Sequence, residues 1–131
     1  VLGLLYHGGL GLGAKRLTRD GSETVIQCAK DADLTRVVAS KSHLNIETET
    51  FIAAIETPVE LIQAGSSLKF LRIAEGAADL YPRLAPTCEW DTAAAQAVLE
   101  GAGGSVTQVD GSPMVYGKRE ILNPHFIARA H

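Results

Sequence analysis

The sequence predicts an α/β domain with a mostly parallel sheet flanked by helices, entered through a short run of antiparallel strands. Three observations predict it. From residue 36 onward, β-rich runs alternate with runs of helical periodicity, the pattern of βαβ units. Before residue 28, short apolar runs are separated by His7-Gly8-Gly9 and Asp20-Gly21, both hairpin turn chemistry. The chain has 131 residues, 46% hydrophobic and 21% charged, one domain's worth of an ordinary globular composition. The change of pattern divides it into residues 1–28, antiparallel, and residues 29–131, α/β.

The elements follow in order. Residues 1–6 form a β-like run, His7-Gly8-Gly9 turns, and residues 10–16 return. Glycines 9, 11 and 13 do not make a dinucleotide loop, because no helix follows them. After Asp20-Gly21, residues 23–28 are a third strand, and residues 29–33 are a polar link. Residues 36–40 (RVVAS) are a strand. Asn45 caps a helix whose first turn carries Glu47 and Glu49, with Phe51, Ile52 and Ile55 as its buried stripe and Pro58 as its stop. Residues 59–63 are a strand. Ala64-Gly65 turns into a helix over residues 66–78, with Phe70, Ile73, Ala74 and Ala77 on one face. Residues 80–84 are a strand, and a helix opens at Trp90-Asp91-Thr92 and ends at Gly101, Gly103 and Gly104. Strands are expected at residues 105–109, 114–116 and 126–130, with a turn at 110–113.

Net charge of −3 and a pI near 5.8 give no global attraction to nucleic acid or an anionic membrane. No apolar run is long enough for a transmembrane segment. Cys28 and Cys88 lie far apart with no CxxC pair, which argues against zinc and a disulfide framework and suits a reducing, cytoplasmic setting. The chain opens at Val1 directly in a strand-like run, without an initiator Met, so a piece of a longer protein is expected.

Four places can carry chemistry. Asp91 stands at a helix N-terminus after a strand-to-helix crossing. A carboxylate there either caps the helix, the commoner role, or serves as a hard oxygen ligand for a cation such as Mg²⁺. In the helix begun at Ser66, Lys69 occupies the third position, where Glu or Gln is favoured. Its charge opposes the helix dipole, at about 0.3–1 kcal/mol. Either Lys69 snorkels into solvent while Ser66 caps, or an external anion such as phosphate resolves the conflict, with Gly65, Ser66, Ser67 and Lys69 around it. Ser40, Ser42 and His43 form a polar cluster at the C-terminal end of a parallel strand, where open α/β sheets bind ligands. Arg83 is either a surface ion-pair partner or a bidentate phosphate clamp. His7, His125 and His131 lack metal-site spacing.

Three segments, GSSLKFLRIAEGAADLYPRLAPT, WDTAA followed by GAGG, and LNPHFIA, occur in order. Together they resemble the inositol-monophosphatase superfamily of metal-dependent, lithium-sensitive phosphatases, and its bisphosphate-nucleotidase (CysQ-like) branch most. The resemblance implies the C-terminal layered half of the sugar-phosphatase fold, preceded by a β-hairpin piece of that fold's N-terminal antiparallel sheet. It implies Asp91 as ligand to Mg²⁺ and as a contact to the substrate sugar. It also implies substrate contacts at Ser40, Ser42, His43, Ser66, Lys69 and Arg83. The small-molecule partner would be a nucleotide bisphosphate, 3′-phosphoadenosine 5′-phosphate, converted to AMP and phosphate. The family's glutamate-containing and Asp-Pro-x-Asp-Gly-Thr segments, and its general base, are absent. No catalytic residue is therefore expected in this chain, and the isolated chain is expected to be inactive. Inositol monophosphatase or fructose-1,6-bisphosphatase activity in the parent stays open, as does a non-catalytic phosphate- or nucleotide-binding module. Strands lacking their sheet partners would leave an edge through which copies could self-associate.

Overall fold

In a computed structural model, residues 3–30, 33–40 and 44–131 are described. Strands β1 (Leu5–Gly9), β2 (Gly13–Leu17) and β3 (Glu23–Ile26) form an antiparallel sheet in the order β1-β2-β3. The turn joining β1 to β2 is not at His7-Gly8-Gly9, which is strand. It lies at residues 10–12, where Leu12 N donates to Gly9 O at 2.9 Å and Gly11 and Gly13 adopt positive φ.

The second sheet contains β4 (Thr35–Ala39), β5 (Val59–Gln63), β6 (Leu80–Arg83), β7 (Ser105–Gln108) and β8 (Phe126–Arg129), in the order β5-β4-β6-β8-β7. β4 pairs parallel with β5 and β6, while β8 pairs antiparallel with β6 and with β7. Four strands therefore share one direction and β8 runs against them. The expected strand at residues 114–116 does not form. That segment runs past the third helix instead, with the Tyr116 hydroxyl donating to Gln96 Oε1 at 2.5 Å and accepting from Thr92 Oγ1 at 3.1 Å.

Three helices join the strands: α1 (Ile46–Ala53), α2 (Leu68–Ala74) and α3 (Glu89–Gly101). Asn45 caps α1 as expected, accepting from Thr48 N at 2.9 Å, and its own amide donates to Leu84 O at 2.8 Å. The expected buried stripe on α1 is absent. Phe51, Ile52 and Ile55 are only half-buried, and Thr48 is the buried residue. The helix ends at Ala53, well before Pro58, so it is too short to lay a full apolar face on the sheet. Helix α2 is also shorter than the periodicity suggests. Ser66 has φ +45, outside helical geometry, and Gly76 at φ +78 leads the chain away after Ala74.

Helices α2 and α3 pack on each other, with α3 against β1 and β2 of the small sheet and α2 against β4 and β6 of the large one. Ala14 and Ile26 of the small sheet join Phe70, Ile73, Val98, Leu99 and Phe126 in one apolar cluster. Val37, Val38 and Ala39 of β4 are all buried, the mark of a strand covered on both faces. The Glu75 carboxylate ties the layers together. It accepts from Tyr6 Oη at 3.0 Å, Arg16 Nη1 at 3.1 Å and Arg72 Nη1 at 2.7 Å.

Candidate functional site

The parallel strands β5, β4 and β6 send their C-terminal ends to one edge of the sheet. The chain leaves β4 toward β5 on one side and returns to β6 on the other, the kind of reversal at which open sheets form crevices. A cleft of about 290 Å³ lies there, and Ser40, Ser66, Lys69, Arg83, Thr87 and Asp91 are among its lining. Its apolar floor is a packed aromatic trio. Phe70 meets Tyr81 edge-on at 5.3 Å between centroids and stacks on Phe126 at 5.6 Å.

Five of the expected site residues thus line one cleft. Ser40 follows β4, Ser66 and Lys69 follow β5, Arg83 ends β6, and Asp91 lies in the first turn of α3. Ser42 and His43 lie outside the described residues.

Lys69 neither snorkels nor stands third in its helix. It is the second residue of α2 and only 3% exposed. Its Nζ lies over the Tyr81 ring at 5.2 Å from the centroid. Ser66 does not cap, and neither does the N-cap Ser67 by its side chain. Among the described residues Lys69 has no carboxylate partner, and Arg83 has none either. Burial, with the Arg83 charge in second place, holds the Lys69 ammonium below its ordinary pKa. The Arg83 Nη2 donates to Pro86 O at 3.2 Å, while its Nε is buried and without a partner among the described residues. Burial pushes the Tyr81 hydroxyl up in pKa, and the Arg83 charge partly offsets this. Two cations face one polar opening, and one of them has an unused buried donor. Such an arrangement suits an anion.

Asp91 caps, but not as the N-cap. It is the third residue of α3, and its Oδ2 accepts from the N–H of the N-cap Cys88 at 2.9 Å. The residue is exposed at the cleft, so its other oxygen remains able to act as a hard ligand. Mg²⁺ characteristically takes one or two carboxylates together with substrate phosphate and water. Asp91 fits one such position. No group of three His, Cys, Asp or Glu side chains suited to a metal ion occurs among the described residues.

The start of α3 is held from behind by the segment before β8. Asn123 Nδ2 donates to Cys88 O at 2.9 Å and to Thr87 Oγ1 and Thr92 Oγ1, each at 3.0 Å. The Glu89 carboxylate accepts from Gly117 N at 3.0 Å and Lys118 N at 3.2 Å and pairs with Lys118 Nζ. Thr87, Tyr81 and Asn123 have no assigned role in the sequence reading. Their one local signal is that they fall inside the motifs LYPRLAPT and LNPHFIA.

Comparison with known proteins agrees with this geometry. The whole chain, residues 1–131, matches the inositol monophosphatase family. It is 43% identical over 107 residues to the 3′(2′),5′-bisphosphate nucleotidase CysQ of Shigella flexneri, covering 81% of this chain and 43% of that protein. The CysQ of Salmonella typhimurium is 39% identical over 127 residues, which is 96% of this chain and 50% of the relative. The crystal structure of CysQ from Bacteroides thetaiotaomicron superposes with a TM-score of 0.85 at 40% identity, over 96% of this chain and 53% of that one. Staphylococcal IMPase-II shares the fold at a TM-score of 0.73 and 18% identity, over 98% of this chain and 48% of its own. The chain spans about half the length of these relatives, or less. No helix among the described residues is long and apolar enough to cross a membrane.

Proposed function

The chain belongs to the inositol monophosphatase family, and from that premise we propose that it carries the phosphate-binding cleft of a magnesium-dependent nucleotide phosphatase. The substrate is 3′-phosphoadenosine 5′-phosphate. Water attacks the 3′-phosphorus, a new P–O bond forms as the P–O3′ bond breaks, and a proton passes to the departing 3′ oxygen, giving AMP and inorganic phosphate. The names of the CysQ relatives support the substrate class. The single observation that carries the reading is the pair Lys69 and Arg83, two cations without carboxylate partners among the described residues, in one cleft with Asp91.

In this reading Lys69 neutralises phosphate charge from a site already stripped of water, where an ion pair is worth more than at the surface. Arg83 offers Nε to a phosphate oxygen while Pro86 O keeps its fork in place. Ser40 and Ser66 supply hydroxyl donors. Asp91 holds one Mg²⁺ and orients the sugar, and the ion, when bound, supplies Lewis-acid stabilisation and a water of lowered pKa. The remaining acidic ligands and the general base come from outside this chain, so the chain alone binds substrate without hydrolysing it.

Isothermal titration of the 131-residue chain with 3′-phosphoadenosine 5′-phosphate, with and without Mg²⁺, tests this, with inositol 1-phosphate as competitor and phosphate release followed in parallel. The expected result is nucleotide binding that Mg²⁺ strengthens, weak competition by inositol 1-phosphate, and no turnover. Binding indifferent to Mg²⁺ would instead mark a phosphate-binding module without metal chemistry. Phosphate release by the chain alone would overturn the division of labour.

A further inference from the structure

We propose that Thr87 is a further phosphate-contacting residue, its hydroxyl fixed as a donor toward the cleft by Asn123. The inference rests on the reading of that cleft as a phosphate site.

Hydrogen-bond accounting carries it. Asn123 is 7% exposed, and the orientation of its amide follows from its partners. The Cys88 carbonyl only accepts, so the group 2.9 Å from it must be the Asn123 NH₂. An inverted amide would set two carbonyl oxygens against each other. The same NH₂ lies 3.0 Å from both Thr87 Oγ1 and Thr92 Oγ1; one of its two protons goes to Cys88 O, so the two hydroxyls share the other, and neither can donate back to the amide nitrogen. A hydroxyl that accepts from an N–H must send its one proton elsewhere. Thr92 sends its proton to Tyr116 Oη at 3.1 Å, because the one Tyr116 proton goes to Gln96 Oε1, which can only accept. Thr87 Oγ1 donates to no acceptor among the described residues, and Thr87 lines the cleft.

The Thr87 backbone is fixed on both sides. Its carbonyl accepts from Asn123 N at 2.8 Å, and the preceding Pro86 carbonyl accepts from Arg83 Nη2 at 3.2 Å. Thr87 and the Arg83 guanidinium are therefore held on the same rim. Asn123 Oδ1 is buried without a partner among the described residues, so the amide is oriented by what its NH₂ holds rather than by satisfaction of its own oxygen. Asn123 is thus a positioning residue, and Thr87 supplies the contact.

Inorganic phosphate titrated into the 131-residue chain and into Thr87→Ser, Thr87→Val and Thr87→Ala tests this, with melting temperatures taken on the same samples. Thr87→Ser should bind within about twofold of the parent, and Thr87→Val about tenfold more weakly, the usual loss for a hydrogen bond to a charged acceptor. Thr87→Ala gives the same reading should the valine variant not fold. A loss shared by the serine variant, or absent from both the valine and alanine variants, would overturn the role of Thr87 while leaving the cleft intact. A parent chain that binds no phosphate would overturn the cleft reading, and this inference with it.

Discussion

Lys69 Nζ lies over the Tyr81 ring, 5.2 Å from its centroid, and no carboxylate among the described residues pairs with it. The ring face gives a desolvated cation some attraction, about 0.5–2 kcal/mol. This is less than the several kcal/mol that taking an ion out of water costs. The residue is therefore a stability cost in the free chain. Lys69→Met should stabilise the chain by about 1 kcal/mol while abolishing phosphate binding. The pH dependence has a definite sign. Burial and Arg83 hold the folded-state pKa below the ordinary 10.5, so the unfolded chain binds the proton more tightly. Stability should rise as pH climbs from the lowered pKa toward 10.5, and this slope should vanish in Lys69→Met. Urea melts across that range decide it, and a methionine variant less stable than the parent would refute the account.

Ser66 holds φ +45, the one positive-φ residue among the described residues that is not glycine, and it lies between Gly65 and the first turn of α2. A side chain in the left-handed region costs about 1–2 kcal/mol, and glycine escapes it at an entropic cost of about 0.5–1 kcal/mol. Ser66→Gly should therefore be neutral to about 1 kcal/mol stabilising. If the hydroxyl contacts phosphate, the same variant should bind phosphate several-fold more weakly. Thermal melts and phosphate titration on one preparation separate the two effects. A clear loss of stability would show that the Ser66 hydroxyl, not its backbone, matters to the fold.

Local chemistry made much of this fold legible. Asn45 caps α1 because Asn-x-x-Thr places a side-chain oxygen three residues before an orphan N–H, and β5 has the bounds its apolar run suggests. What failed depends on contacts distant in sequence. The segment at 114–116 carries strand-like residues, yet Tyr116 is claimed by Thr92 and Gln96 on α3. From sequence, Lys69 reads equally as a snorkelling cation or as an anion contact, and its burial shows only when Tyr81, on β6, is placed beneath it. Ser40, Ser66, Lys69, Arg83 and Asp91 are legible as candidates because they fall at strand and helix ends, and the family resemblance, not position alone, favours their functional reading. The hydrogen-bond role of Asn123 links it to residues more than thirty positions away and leaves no local mark.

Arg36 and Asp79 form a clasp between β4 and the entry to β6. Asp79 accepts from Arg36 N at 2.7 Å, Arg36 Nε at 2.9 Å and Arg36 Nη2 at 2.8 Å, and Arg36 Nη1 donates to Gly76 O at 2.9 Å. Burial works to raise the Asp79 pKa, but the Arg36 hydrogen bonds and charge outweigh it and hold the carboxyl below its ordinary 3.8. Its contribution is thus present above pH 3.8 and lost as pH falls through the lowered folded-state value. Asp79→Ala, which leaves a partly buried guanidinium unpaired, should cost about 3 kcal/mol at pH 7 and flatten the acid limb of the stability profile. Denaturant midpoints at pH 7 and pH 3 check both, and an unchanged acid limb would refute it.

Gly101 sets two principles against each other. It is the last residue of α3, where alanine would be favoured by up to about 1 kcal/mol on helix propensity. A Cβ added there, however, would lie 2.4 Å from Gly13 O, 2.7 Å from Gly9 N and 2.9 Å from Gly9 O. All three atoms are backbone, so no side chain can swing aside, and either the helix or the β1–β2 hairpin must move. Such a shift costs about 1–3 kcal/mol and drags on the apolar cluster that Ala14 shares with Leu99. The clash should win, leaving Gly101→Ala about 1–2 kcal/mol less stable than the parent by urea melt. Gly65→Ala, with nothing within 4 Å and an ordinary φ, is the control and should lose nothing. A stabilised Gly101→Ala would mean that the hairpin and α3 do not approach as closely in solution, and the packing of the small sheet would have to be redrawn.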